Sequence, residues 1–132
     1  MQKWINSHYR MSLATTNVGG GAYLSGVAYL HKNTPTVYFM AKDNTQIVKN
    51  LYHQPIVAYT IWDPVEDMKN LKALQMLGKA RLLKDEERHK ALKLFSKLPA
   101  DIDTYVSVQI KPNLVRWTDN NIGFGYGEIV KY

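Results

Sequence analysis

The sequence contains no cysteine, which excludes disulfides, thiolate metal sites and a cysteine nucleophile. It has no apolar run near the roughly 20 residues that a membrane-spanning helix needs. Its first residues, MQKWINSHYRMSLATT, hold no uninterrupted apolar stretch of the secretory type. These absences lead to the expectation of a cytoplasmic protein without a membrane partner. Low-complexity tracts are missing as well. Hydrophobic residues at 45% and charged residues at 21% of 132 positions suit a packed globular chain, and the length suits a single domain over residues 1–132.

Acidic residues are outnumbered, 11 against 17 Lys and Arg, for a net charge of +6. Nine of the seventeen basic residues lie between Lys69 and Lys97, interleaved with Asp85, Glu86 and Glu87, which is the pattern of a mixed solvated surface. There is no arginine-rich run and no aromatic ribonucleoprotein motif, so no nucleic-acid partner is expected.

The local pattern is strand-rich. Residues 2–8 read as a short helix with Trp4 and Ile5 turned inward. MSLATTN reads as a strand, VGGGA as a hairpin turn whose glycines accept positive φ, and AYLSGVAYL as the returning strand. HKNTP turns again and TVYFMA follows as a third strand of an antiparallel meander. Thr45 then heads a helix of about two turns as its N-cap, with Ile47, Val48 and Leu51 as the apolar stripe and Pro55 beyond its end. IVAYTIW and LQMLGKARLL read as strands, with Gly78 marking a bulge or a close backbone contact. KDEERHKALKLFSKL reads as a helix capped by Asp85, with Ala91, Leu92, Phe95 and Leu98 as its buried face and Lys93 and Lys97 toward its end. TYVSVQI, a turn at KPN, and LVRWT complete the set before the glycine-rich end. Six or so short strands with intervening helices predict a β-rich α+β domain, most economically a small closed barrel with helices over its ends.

Most chemical motifs are absent. GGG at Gly19–Gly21 leads into no helix, so it is not a phosphate loop. GFGYG lacks dinucleotide spacing, and its Gly123, Gly125 and Gly127 suit a closely approached strand. His8, His31, His53 and His89 show no metal spacing, and no nucleophile-elbow signature accompanies any serine. Tyr23, Tyr29, Tyr38, Phe39, Trp62 and Trp117 sit among small strand residues, as core or as the walls of a cleft for a flat ligand. What remains is the loop AKDNTQIVKN, where the amides of a helix start lie near Lys42 and Lys49 in a combination able to hold a phosphate.

Taken in order, LATT, a glycine turn, AYLSGVAYL, VYFMA, TQIVKNLYHQPIVA and LGKARLL resemble the pyridoxamine 5'-phosphate oxidase-like family of FMN-binding split β-barrels. The likeness runs from about Met11 through IKPNLVRWTDNNIGFG. It implies an antiparallel split β-barrel of about six strands with short flanking helices, forming a homodimer with two FMN sites at the interface and acting on a small-molecule substrate. In that family the second strand offers backbone groups to the flavin, which maps to Ser25, Gly26, Val27, Ala28 and Tyr29. The end of the third strand maps to Phe39, Met40 and Ala41, and the phosphate region to Lys42, Thr45, Gln46, Ile47 and Lys49.

The family's phosphate-binding Lys falls on Ile47, its frequent Arg on Gln46, and the oxidase's substrate Lys on Leu30, so vitamin B6 oxidation is not expected. Two functions follow from the resemblance. One is an FMN oxidoreductase passing hydride or electrons from a reduced donor to a small organic acceptor. The other is a non-catalytic module of the same fold holding flavin, haem or another cofactor.

Overall fold

A computed structural model describes residues Met1–Tyr132. Along the chain, α1 (Gln2–Ser7) precedes β1 (Arg10–Thr16), β2 (Ala22–Ala28), β3 (Leu30–His31), β4 (Val37–Lys42), α2 (Gln46–His53) and β5 (Ile56–Trp62). Then come β6 (Lys72–Leu83), α3 (Asp85–Leu92), β7 (Tyr105–Asp119) and β8 (Gly127–Lys131). All eight strands join one antiparallel sheet in the order β2-β1-β5-β6-β7-β4-β3, with β8 also on β7. The sheet curls around a core that includes Leu13, Phe39, Val57, Ile61, Leu74, Met76, Val108 and Ile110, forming a split β-barrel.

Period-two burial drives this arrangement. Along β1 the buried residues Met11, Leu13 and Thr15 alternate with half-buried neighbours, and β6 alternates buried and exposed positions from Leu74 to Ala80. At the β1–β2 hairpin, Gly20 adopts φ 84° and its N–H donates to Asn17 O at 2.9 Å, while the Asn17 side chain accepts from Gly21 N–H at 2.8 Å. The glycine turn is therefore as the sequence predicts.

Four local expectations are corrected. AYLSGVAYL is broken at Tyr29, because that side chain turns into the core with its hydroxyl donating to Ile5 O at 2.8 Å. Only the two-residue β3 then pairs with β4, whose main partner is β7 rather than a meander neighbour. KPN is not a turn: β7 runs unbroken through Lys111, Pro112 and Asn113. The register shifts there, Leu77 facing Leu114 and Gly78 facing Pro112, so Asn113 is the extra residue of a β-bulge. Pro112, which has no N–H to donate, falls where β7 changes partner from β4 to β8. Gly78 does mark a close approach, since a Cβ there would lie 2.6 Å from Lys111 O.

The third correction concerns α3, which stops at Leu92 and has no side-chain cap hydrogen bond at its start. Lys84, not Asp85, flanks it, Lys97 lies beyond it and Leu98 is exposed. Arg81, paired with Glu87, and Arg88, whose Nη2 donates to Ile102 O at 2.9 Å, tie α3 to the sheet and to the chain that follows. Residues 93–104 therefore connect α3 to β7 as a loop that ends in a short 3-10 turn at Ile102–Thr104, instead of a third turn of α3. Last, Gly123 and Gly125 lie in a turn, Gly125 at φ 79°, and only Gly127 enters a strand.

Candidate functional site

The sheet path ends at β2 on one side and at β3 on the other; β3 covers only Val37 and Tyr38, so the end of β4 is open beyond it, and β8, paired with β7 alone, is a further edge away from the seam between β2 and β4. Ladder alternation tells which backbone groups β2 and β4 expose. Tyr29 N–H donates to Tyr9 O at 2.9 Å and Asn17 N–H to Gly21 O at 2.9 Å. With period two between these bonds, the backbone groups of Tyr23, Ser25 and Val27 face β1, and those of Leu24, Gly26 and Ala28 face outward. On the other edge, Asp43 N–H donates to Thr104 O at 2.9 Å, which commits Phe39 and Ala41 to β7 and leaves Met40 facing the seam.

A groove of about 530 Å³ lies along this seam. Gly26, Val27 and Ala28 form one wall and Phe39, Met40 and Ala41 the other, with Ile47 of α2 at the base. The 93–104 loop and the start of β7 close it with Phe95, Pro99 and Tyr105. The lining is mostly apolar, so polar recognition falls to the free backbone of Gly26, Ala28 and Met40.

Seven of the thirteen residues expected from sequence meet in this groove. Ser25 does not line it, and its backbone is spent on β1. Tyr29 is 2% exposed, hydrogen-bonded at both its N–H and its hydroxyl, and burial pushes its phenol pKa up, so its assignment to ligand contact is corrected. Sequence reading missed Phe95, Pro99 and Tyr105. The available signal was Pro99 and the acidic DID after it, which mark a loop folding back on the sheet.

The phosphate region carries a second correction. Thr45 does not cap α2 with its side chain; its hydroxyl donates back to Lys42 O at 2.7 Å, and its N–H goes to the same oxygen at 3.1 Å. The first α2 amide with a protein partner is Lys49 N–H, which donates to Thr45 O at 3.2 Å. The amides of Gln46, Ile47 and Val48 are left without a protein acceptor at the positive end of the helix dipole. Lys49 is exposed and unpaired, whereas Gln46 donates to Asn50 Oδ1 at 2.7 Å.

Lys42 is not free. Its Nζ lies 3.3 Å from Asp101 Oδ2 and 5.8 Å from the centroid of the Tyr105 ring. The hydrogen bond to Asp101 raises the Lys42 pKa above its ordinary value and lowers that of Asp101 below its own.

One other cluster has the outline of a catalytic triad. Ser7 Oγ is 2.9 Å from His8 Nδ1, and His8 Nε2 is 2.9 Å from Asp63 Oδ1. Ser7 Oγ donates to Trp4 O at 3.0 Å, and that same carbonyl lies 2.8 Å from His8 Nδ1, so the serine proton is committed to the backbone and the cluster is not arranged as a nucleophile and its base. The cluster instead fixes α1 to the end of β5, with the His8 and Trp4 rings 4.2 Å apart. No group of three His, Asp or Glu side chains is placed to hold a metal ion, and no helix is long and apolar enough to cross a membrane.

The family model for pyridoxamine 5'-phosphate oxidase matches residues 1–118. Among solved structures, the heme binding protein from Mycobacterium smegmatis superposes with a TM-score of 0.80 at 19% identity over 98% of this chain. Campylobacter jejuni ChuZ gives 0.75 at 14% identity over 98%. A Clostridium acetobutylicum protein related to general stress protein 26, of the pyridoxinephosphate oxidase family, gives 0.74 at 15% identity over 98%. The chain spans only 55% and 56% of the first two proteins, but 89% of the third. At these identities the likeness is one of fold. No curated protein matches the chain in sequence.

Proposed function

The chain belongs to the pyridoxamine 5'-phosphate oxidase family, and from that premise we propose that it binds FMN in the β2–β4 seam and works as a cytoplasmic oxidoreductase on a small-molecule substrate. The observation that carries this reading is the groove itself, in which two free strand edges and three ring or proline side chains enclose about 530 Å³, within the range of small-ligand sites. The residues fit a flavin well at one end. Phe95, Tyr105 and Pro99 offer flat apolar walls, while Gly26, Ala28 and Met40 present backbone donors and acceptors to a heteroaromatic edge. At the phosphate end the three open amides of α2 and Lys49 are the available partners. Bound FMN supplies hydride or electron transfer between a reduced donor and a small organic acceptor.

The proposal includes a homodimer. The outer face of β2, β1, β5, β6 and β7 leaves a cavity of about 400 Å³ lined by Ser12, Ala14, Leu24, Ala58, Leu77 and Leu114, among other residues. Leu24 is 72% exposed and Leu77 50% exposed, apolar area that a second copy would cover.

A second reading has its own support. Ile47 and Gln46 stand where the family's cations fall, and Lys42 is already paired with Asp101, so the groove suits a planar cofactor without a phosphate group in a non-catalytic module. Haem is one such ligand, although no histidine lines the groove. Titrating the purified protein separately with FMN and with haemin, followed by absorbance, decides between them. Saturable FMN binding and turnover with a reduced nicotinamide support the oxidoreductase. Haemin binding without FMN binding supports the module, and failure to bind FMN removes the first reading.

A further inference from the structure

Arg10 is the first residue of β1 and lies opposite Ala28 of β2. Side chains directly opposite and on the diagonal share a face, so Arg10, Ala28 and Gly26 form one small patch. A cavity of about 250 Å³ is lined by Arg10, Gly26, Val27 and Ala28 alone. Gly26, Val27 and Ala28 are also one wall of the seam groove, so the two spaces adjoin across β2.

The guanidinium is poised but uncommitted. The chain's three ion pairs join His8 to Asp63, Lys42 to Asp101 and Arg81 to Glu87, and none involves Arg10. Its only marked contact is the Tyr9 ring, whose centroid is 5.3 Å from Cζ and which restrains the side chain without neutralising it. Nothing in the single chain lies within 4 Å of where a Cβ on Gly26 would be, so the space before the guanidinium is open there. Lys42, which follows the groove residue Ala41, is paired with Asp101. The β2 side of the seam therefore carries an unpaired guanidinium.

We propose that Arg10, in the space left open at Gly26, is a subsite for the carboxylate or phosphate group of a small anionic substrate, seated beside whatever occupies the groove. A guanidinium fork suits either group, because both present two oxygens for parallel N–H donors. As a statement about substrate this rests on the flavin reading; as a statement about anion binding it does not.

The test uses isotope-labelled whole protein without flavin, titrated with inorganic phosphate and separately with acetate, and follows the amide resonances of Gly26 and Ala28. Saturable shifts with one or both anions are expected, and the tighter anion assigns the group. Arg10→Ala should weaken binding about tenfold or more, as for a lost charged hydrogen-bond partner, with Arg10→Lys in between. Gly26→Val, which enters open space on the same face, should block the site while the fold is kept. Shifts that are absent in the wild type, or unchanged in Arg10→Ala, overturn the proposal. Loss of FMN binding would instead overturn the flavin reading and leave this result standing.

Discussion

Lys42 Nζ is held 3.3 Å from Asp101 Oδ2, and that pair joins the end of β4 to the loop that supplies Phe95 and Pro99 to the groove. A cation engaged by a carboxylate is a poor phosphate ligand. Asp101→Asn is therefore expected to raise affinity for FMN relative to riboflavin, which lacks the phosphate, by about two- to fivefold, the scale of an exposed ion pair. Fluorescence titration of both flavins at low and high salt checks it. Because the Asp101 pKa is lowered, the pair holds above the ordinary carboxylate range and is lost as pH falls through the lowered value. Because the Lys42 pKa is raised, the pair also holds below the ordinary lysine value and is lost as pH rises through the raised one. The advantage of Asp101→Asn should thus be present at neutral pH and shrink in acid.

Asn50 and Thr15 make the second prediction. Asn50 is 1% exposed, and its Nδ2 donates to Thr15 Oγ1 at 2.9 Å, fastening α2 to β1 beneath the groove. Asn50→Ala leaves the buried Thr15 hydroxyl without this partner and should cost about 1 to 3 kcal/mol. The double change Asn50→Leu with Thr15→Val removes both polar groups and should recover part of that loss. Urea unfolding of the wild type, Asn50→Leu, Thr15→Val and the double variant gives the coupling.

How much of this was legible beforehand depends on the range of the interaction concerned. Period-two burial and the Gly20 turn are local, so β1, β2 and the hairpin between them could be read directly. The partner of β4 could not, because Tyr38 faces Gln109 across 71 positions. Lys111, Pro112 and Asn113 look like a turn in isolation and become a bulge only opposite Leu77 and Gly78. Around the groove, the family likeness names Gly26–Ala28 and Phe39–Ala41, which line it. It could not show that ladder alternation withdraws Ser25 and Tyr29, nor that Asp101 occupies Lys42. Residue type marks Thr45 as a cap, but its hydroxyl donates to Lys42 O instead, leaving the α2 amides open.

The outer face yields a prediction about assembly. Leu77 is 50% exposed in the single chain, so Leu77→Glu does not disturb the core. In a two-fold interface each substitution is met twice, and a buried glutamate in each copy is strongly unfavourable. Light scattering should then show a dimer for the wild type and a monomer for Leu77→Glu, with unchanged circular dichroism. Val18→Asp, at a position 79% exposed in the hairpin turn, should leave the dimer intact. A wild-type monomer at all concentrations would remove the second copy from the proposal.

Ile47 offers the most direct test of the phosphate end. It is half-buried, packs against the core and lines the groove, so it faces both ways. Ile47→Lys sacrifices apolar packing, about 1 kcal/mol of stability given that the lysine stem still covers much of the same surface. In return it sets an ammonium group in the first turn of α2, beside three amides that have no protein acceptor. If FMN seats its phosphate there, affinity should rise about tenfold, as for one gained charged hydrogen bond, while riboflavin affinity stays within about twofold. Equal gains for both flavins would mean that the lysine acts on the ring. No gain for either would mean that its stem stays in the core or that Lys49 and the open amides already serve the phosphate. Running the same substitution in the Asp101→Asn background separates those two cases. A served phosphate would leave FMN affinity unresponsive to the release of Lys42 as well, whereas a lysine that failed to reach the groove would leave the Asp101→Asn gain intact.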